Sequence, residues 1–366
     1  MARRVDLLGP VPPPFGGVSI HIVRFLALLA ANGHPARVVP YTGTTRNGRL
    51  GKSLQAAWQL VRLYGRRLVR PGQVMHLHYG GLGYFLALEP LLRTARSRLV
   101  VTFHSVRVVQ DLAQAGPGRR RRALDLLARF DLFVAVRPEI GEALRGLGLD
   151  RPAITVMPAF LPPALSETAL ARLPHTVSAT LTAALATGRR QVCCAAYYLG
   201  AGYGHRDVYG VEELVAALDR LDPDPGPAAD FWIFVSNRPD SEERRRIEQD
   251  LLSRAARWHR FGLHLCYGQP MIPVLARAAG FVRLSREDGD SVAVREAMSF
   301  GLPVLASDVV VRPSEVTLVS VRDPVALAAA LESFLAGLPV PGGEPAPVRI
   351  TDPERFAAFV REVVGA

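Results

Sequence analysis

Two doubly wound α/β domains are predicted for this sequence on three observations. Its 366 residues, 49% of them hydrophobic, suffice for two cores of ordinary domain size. Residues 5–40 read as strand, glycine-bearing loop, helix and strand, the unit that opens a doubly wound sheet. Residues 280–306 read as strand, polar loop, short helix and strand, so the same alternation recurs far along the chain.

The first half follows that pattern in order. Val5 to Gly9 is a short apolar strand. Pro10 to Gly17 is a stiff loop closed by Gly16 and Gly17, which let a ligand approach backbone without side-chain interference. Val18 to Asn32 is a helix with Val18, Ile22, Phe25, Leu26 and Leu29 on one face, and Ala36 to Pro40 resumes as strand. No Gly-x-Gly-x-x-Gly is present, which argues against a nicotinamide dinucleotide. Leu54 to Leu68 is an amphipathic stretch with Arg62, Arg66 and Arg67, flanked by Lys52 and Arg70. Val74 to Tyr79 is a strand, so His76 and His78 share a face. A metal on that pair would need a third ligand that the spacing does not supply, so a structural or cleft-edge role is expected. Leu99 to Ser105 is a buried strand with a polar tip at His104, where open α/β sheets place ligands. Arg119 to Arg122 is a second basic cluster, preceding a helix over 123–130. Leu132 to Val136 is a strand, Pro138 opens a helix, and Ile154 to Met157 leads out of the first domain.

The second half repeats the alternation. Residues 164–190, rich in Ala, Thr and Leu, are expected to hold a linker and connecting helix. Gln191 to Tyr197 starts the second sheet, a glycine-rich loop runs to Gly210, and a helix begins at Val211. Further strands are expected at 231–235, 263–267, 280–284 and 303–306. Helices are expected at 242–252, 271–279, 324–336 and 353–364. Between Leu284 and Pro303, Asp290 or Ser291 can cap a helix that starts near Val292, since a short oxygen-bearing side chain accepts first-turn N–H groups. Gly301 ends it. The expected boundaries are therefore 1–163, 164–190, 191–345 and 346–366, the last a helix returning to the first domain.

Composition narrows the function classes. Three cysteines, Cys193, Cys194 and Cys266, have neither disulfide-scaffold nor zinc spacing and read as buried thiols. No secretory leader and no apolar run of about 20 residues is visible, so a cytoplasmic or peripheral location is expected. The first 160 residues carry 23 basic and 8 acidic side chains, against 21 and 25 in the rest. Nearly all the basic residues are Arg, which grips phosphate through two N–H groups. An anionic membrane surface or a lipid diphosphate is the partner expected for that half, and nucleic acid is not, because no recognition motif accompanies the charge.

The stretch Ser285 to Asp308 carries the chemistry. A loop running into a helix N-terminus favours anions. Asp288 in the loop and Glu296 in the helix bracket it, an arrangement suited to a nucleotide-sugar, with hydroxyls on either side of a diphosphate. Asp288-x7-Glu296 followed by Ala297-Met298-Ser299-Phe300-Gly301-Leu302-Pro303-Val304 resembles the signature of the family 4 retaining glycosyltransferases, with Asp in place of the first Glu. The run Asp-Gly-Asp-Ser-Val-Ala-Val-Arg-Glu-Ala is similar to a bacterial branch associated with surface polysaccharides. The segment around Gly16-Gly17-Val18-Ser19 is similar to the family's glycine loop, and Thr102-Phe103-His104 to its Thr-x-His motif.

The resemblance implies the glycosyltransferase-B architecture, two Rossmann-like domains facing across a cleft. It implies a nucleotide-sugar donor, a hydroxyl acceptor that lipid-linked compounds could supply, and neither cofactor nor metal. Residue by residue, it gives Asp288 and His104 contacts to the donor sugar and Glu296 the ribose. Asp290, Ser291, Val292 and the glycine loop go to the donor, and no side chain is placed as a nucleophile. The family's customary lysine is replaced by Tyr209, leaving Arg206 as the candidate diphosphate partner. Two rivals stay open: an epimerase on the same fold, and an inactive subunit docked on a membrane assembly complex.

Overall fold

A computed structural model describes residues 2–12, 15–40, 73–149, 152–163, 165–201, 207–288, 290–340, 346–349 and 352–365. The basic stretch from Lys52 to Arg70 and the candidate Arg206 lie outside them. The chain divides into two compact units. The first comprises residues 1–13, 17–161 and 352–366, and the second comprises 14–16 and 162–351.

The first unit is built on six parallel strands: β1 (Val5–Leu8), β2 (Ala36–Val39), β3 (Val74–His78), β4 (Arg98–Phe103), β5 (Leu132–Ala135) and β6 (Ala153–Val156). Their spatial order is β2-β1-β3-β4-β5-β6. β1, β3 and β5 are buried at every residue, as parallel strands covered on both faces must be. The helix Gly17–Ala31 lays Ile22, Phe25 and Leu29 on this sheet. Beside them pack Phe359, Val360, Val363 and Val364 of the final helix, Pro353–Val364. Each such fully buried side chain contributes about 2 kcal/mol. The last carbonyls of that helix are capped by cations: Arg3 Nη1 donates to Val364 O at 2.6 Å and Arg98 Nε to Val363 O at 3.2 Å.

One expectation shifts here. The arginine cluster does not precede a helix; it lies inside the helix Pro117–Leu127, with Arg119 to Arg122 exposed along it. Pro117 sits at the first turn, where its missing N–H costs nothing, and arginine is a good helix former. Three further helices, Leu82–Ala87, Glu89–Arg93 and Arg107–Gln114, are too short to show a clear period in the sequence.

The second unit also has six parallel strands: β7 (Arg190–Ala196), β8 (Ala229–Val235), β9 (Phe261–Tyr267), β10 (Gly280–Arg283), β11 (Val304–Ser307) and β12 (Thr317–Val319). The order is β12-β11-β10-β7-β8-β9. The helix His175–Ala186, expected as a connector, puts Leu181 and Ala184 into the core with Trp232 and Phe281. The helix expected over 271–279 is a single turn, Ile272–Leu275. The Arg277 and Ala278 N–H groups bond carbonyls three residues back, which tightens the chain into a turn before β10. β12 is a short edge strand with Thr317 and Leu318 exposed, so neither alternation nor burial announces it. The three cysteines are free and buried. Among the described residues no helix is long and apolar enough to cross a membrane.

Both sheets reverse direction of build beside their first strand, between β1 and β3 and between β7 and β10. Doubly wound sheets bind ligands outside the carboxyl ends of strands at that point. The residues beyond β1, β3 and β4, and beyond β7 and β10, therefore stand where such a sheet receives a ligand.

Candidate functional site

In the second unit β10 feeds the loop that carries Asp288. Burial alone would push the Asp288 carboxyl up; Arg283 and Arg312 outweigh it and hold the group below the usual carboxylate range. Arg283 grips it with Nε at 3.0 Å and Nη2 at 3.1 Å, and Arg312 Nη1 donates at 3.0 Å. The Ser285 hydroxyl adds a fourth bond at 3.0 Å. Arg283 also donates through Nη1 to Ala195 O at 2.5 Å, tying β10 to the end of β7. The carboxylate expected to meet sugar hydroxyls is thus already held by two guanidiniums across the switch point.

Four residues on, the helix Val292–Ser299 begins. Ser291 is its cap: Oγ accepts the Val294 N–H at 3.4 Å. Asp290 takes the other role open to it and accepts from Arg295 Nε at 2.5 Å, leaving its Oδ2 buried without a partner among the described residues. Val292 opens the helix and is buried. Glu296 lies in the second turn, only 6% exposed. Gly301, at φ 70°, turns the chain out of the helix.

The loop after β7 leans on this network. The Tyr209 ring lies under the Arg283 guanidinium at 5.0 Å, so a cation stands beside the position where the resemblance wants a lysine. Gly210, at φ 69°, starts the helix Val211–Leu221; a Cβ there would fall 2.1 Å from the Leu284 carbonyl oxygen, so no other residue fits. Asp207 accepts N–H groups from Gly210 at 3.1 Å and Glu212 at 2.6 Å. Its burial and the neighbouring Glu213 push its carboxyl well above the ordinary range, and Glu213 pairs with Arg286.

The first unit presents imidazoles instead. Gly17 opens the helix that carries His21, directly after Gly16. His78 is the last residue of β3, and the β3–β4 register sets it opposite Thr102, two residues before His104. His78 Nδ1 and His104 Nε2 are hydrogen-bonded at 3.0 Å. His21 packs edge-on against both rings, with centroids 5.3 Å from His78 and 5.1 Å from His104. Its Nδ1 meets the Ala159 carbonyl at 2.7 Å; a carbonyl only accepts, so the proton is on Nδ1. His21 Nε2 is buried without a hydrogen-bond partner among the described residues. His76 stacks on His78 at 4.9 Å and bonds the Thr102 hydroxyl at 2.7 Å. Burial lowers His21 to about 4 and His76 to about 3, and takes His78 and His104 well below the ordinary histidine value. All four rings are neutral at physiological pH.

Asp288, Asp290, Ser291, Val292 and Glu296 therefore stand together on one loop and helix of the second unit, and His104 in the first. Arg283, Arg312 and His21 are additional, and sequence spacing does not reveal them. The one signal for Arg283 is a charged residue closing an otherwise apolar strand.

Residues 15–164 match the sequence profile of the family described as Glycosyltransferase Family 4, and residues 196–337 that of Glycosyl transferases group 1. The two glycosyltransferase profiles fall one on each half of the chain. No curated protein matches it by sequence. Solved structures share the fold of these glycosyltransferase domains over nearly the whole chain. A sucrose-phosphate synthase from Thermosynechococcus elongatus aligns with a TM-score of 0.61 at 19% identity, covering 99% of this chain and 94% of its own. HepE of Anabaena, solved in complex with UDP-glucose, aligns at 0.57 and 13%, covering 99% and 93%. A glycosyltransferase from Rickettsia africae aligns at 0.62 and 12%, again covering 99% and 93%. The architecture is the glycosyltransferase-B fold, two Rossmann-like domains in one chain.

Proposed function

We propose that this protein transfers a sugar from a nucleotide-diphosphate donor to a hydroxyl acceptor with retention of anomeric configuration. The observation that supports it best is the capped loop-to-helix junction at the β7/β10 switch point, bracketed by Asp288 and Glu296 within a matched glycosyltransferase domain. In the reaction the bond from the sugar's anomeric carbon to the diphosphate oxygen breaks. A bond to the acceptor oxygen forms on the same face, and the acceptor proton passes to the leaving phosphate. The first-turn N–H groups of the Val292–Ser299 helix would stabilise the charge on that leaving group. Arg283 would supply the cation that Tyr209 cannot. Glu296 would accept from ribose hydroxyls, Asp288 from the donor sugar, and His104 would contact the sugar from the first domain. A polysaccharide or glycolipid product on the inner membrane face suits the exposed arginines of the Pro117–Leu127 helix, which would meet anionic lipid.

One observation favours a second reading. The Asp288 carboxylate already has four bonds from Arg283, Arg312 and Ser285, which suits a domain that binds nucleotide-sugar without turning it over. Calorimetry against a panel of nucleoside diphosphates and nucleotide-sugars, followed by a labelled-sugar transfer assay, separates the two. Binding with transfer, the product anomer matching the donor by NMR, supports the transferase. Binding without transfer to any acceptor tried selects the inactive subunit, and no binding removes both. Glu296→Gln should weaken nucleotide-sugar affinity by about 10-fold or more, the worth of charge-assisted hydrogen bonds to two hydroxyls. Unchanged affinity would remove its ribose role.

A further inference from the structure

The histidines at the first domain's switch point do more than fill a core. Among the described residues, His21, His78 and His104 each offer one ring nitrogen, and the three nitrogens lie within 4.8 Å of one another. We propose that these three imidazoles form a binding site for Zn2+ or a similar borderline transition cation.

Three features carry this. The first is distance. A tetrahedral cation with metal–nitrogen bonds of 2.0–2.1 Å holds its ligand atoms about 3.3 Å apart. His78 Nδ1 and His104 Nε2 are already at 3.0 Å, where a single shared proton joins them, and His21 offers a nitrogen within 4.8 Å of those the two rings offer. The cation replaces that proton, which moves to the other nitrogen of the ring that carried it, and joins three rings where the proton joins two.

The second is the outer partner of His21. A metal-bound histidine characteristically donates its other ring N–H to a carbonyl or carboxylate, which fixes the tautomer and the ring plane. His21 does this: Nδ1–H points to the Ala159 carbonyl at 2.7 Å, so the lone pair is on Nε2, which is buried and has no hydrogen-bond partner among the described residues. A buried polar atom left unmet costs about 1–3 kcal/mol, which a bound cation would offset. The third is rigidity. His78 ends a fully buried strand and His21 lies in the second turn of a helix, so secondary structure holds two of the ligands, and His104 directly follows the neighbouring strand.

Ligand type then sets selectivity. Three neutral imidazoles without a carboxylate suit zinc, cobalt, nickel or copper, and offer magnesium and calcium no oxygen. Arg24, whose charge acts on His21, adds to the cost of a dication, so an anionic fourth ligand is the expected companion. A cation on His104 Nε2 leaves the proton on Nδ1, turning that nitrogen into a fixed donor. This site departs from the sequence expectation of no metal, and it stands whether or not the transferase reading holds.

The test uses the full-length protein stripped with chelator and titrated with Co2+, whose d–d absorption reports low-symmetry nitrogen ligation. One equivalent should bind with a visible band, Zn2+ should displace it, and Mg2+ or Ca2+ should not. His104→Asn should abolish the band and lower Co2+ affinity at least 100-fold, and a folded His78→Ala should do the same. A double change at the exposed surface histidines, His175→Ala with His259→Ala, should leave both intact. Absence of stoichiometric uptake by the unaltered protein overturns the proposal. So does a band that survives His104→Asn, or one lost on changing the surface pair. Should His78→Ala fail to fold, the unaltered protein and His104→Asn decide alone.

Discussion

The two switch points share a topology and differ in chemistry. Beyond β7 and β10 the chain buries paired charge: Asp288 between Arg283 and Arg312, and Asp290 on Arg295. Beyond β3 and β4 it buries neutral imidazoles that bond one another and backbone. A doubly wound sheet fixes where a ligand goes and leaves open what it meets there. Charge that is buried must be paired and then depends on every partner; neutral rings tolerate the loss of one.

The sharpest test of that contrast compares one deletion on each side. Asp288→Ala strands two guanidiniums, one of them with only 2% of its side chain exposed, and should cost about 3–5 kcal/mol in urea unfolding. His76→Leu, which frees only the Thr102 hydroxyl, should cost about 1 kcal/mol. Equal costs would erase the distinction. The same pair should differ with pH. The folded Asp288 carboxyl is held below its ordinary value near 3.9, so its stabilisation is whole above that value and drains away as pH falls through the folded one. The acid limb of a stability–pH curve should therefore be shallower in Asp288→Ala than in the unaltered chain.

A second pair concerns the glycines after the first strand of each sheet. Gly210→Ala drives a Cβ into the Leu284 carbonyl at positive φ and should cost roughly 3 kcal/mol. At Gly9 the added Cβ meets the Ile22 Cδ1 tip, which can swing aside, and about 1 kcal/mol is expected of Gly9→Ala. The smallest effect is at the cap. Ser291→Ala removes one acceptor from the Val292–Ser299 helix and should cost about 1 kcal/mol by thermal melting, with Ser291→Asn restoring most of it.

Most of both sheets was legible because parallel strands are runs of apolar residues punctuated by glycine and proline. The final helix is the clearest case, its Pro353 start and Gly365 stop both readable. What escaped is short or exposed: Leu82–Ala87, Glu89–Arg93 and the edge strand Thr317–Val319 have too few residues to show a period. Within the candidate site the Asp288-to-Glu296 stretch is legible because its members are close in sequence and on one loop and helix. Arg312 and His21 are not, since each meets its partners 24 and 57 or more residues away. That proximity is created by strand order and register, which no spacing along the chain encodes.

The core formed by Phe25 and Val5 is completed by Phe359 and Val363, which the ribosome makes about 190 residues after the rest of that unit. At 5–20 residues per second, the nascent first domain waits roughly 10 to 40 seconds with an apolar groove uncovered. For that interval the apolar face that Phe359 and Val363 will cover has no partner from its own unit, and the second domain is fully synthesised before the first. The order of synthesis and the order of completion are opposite.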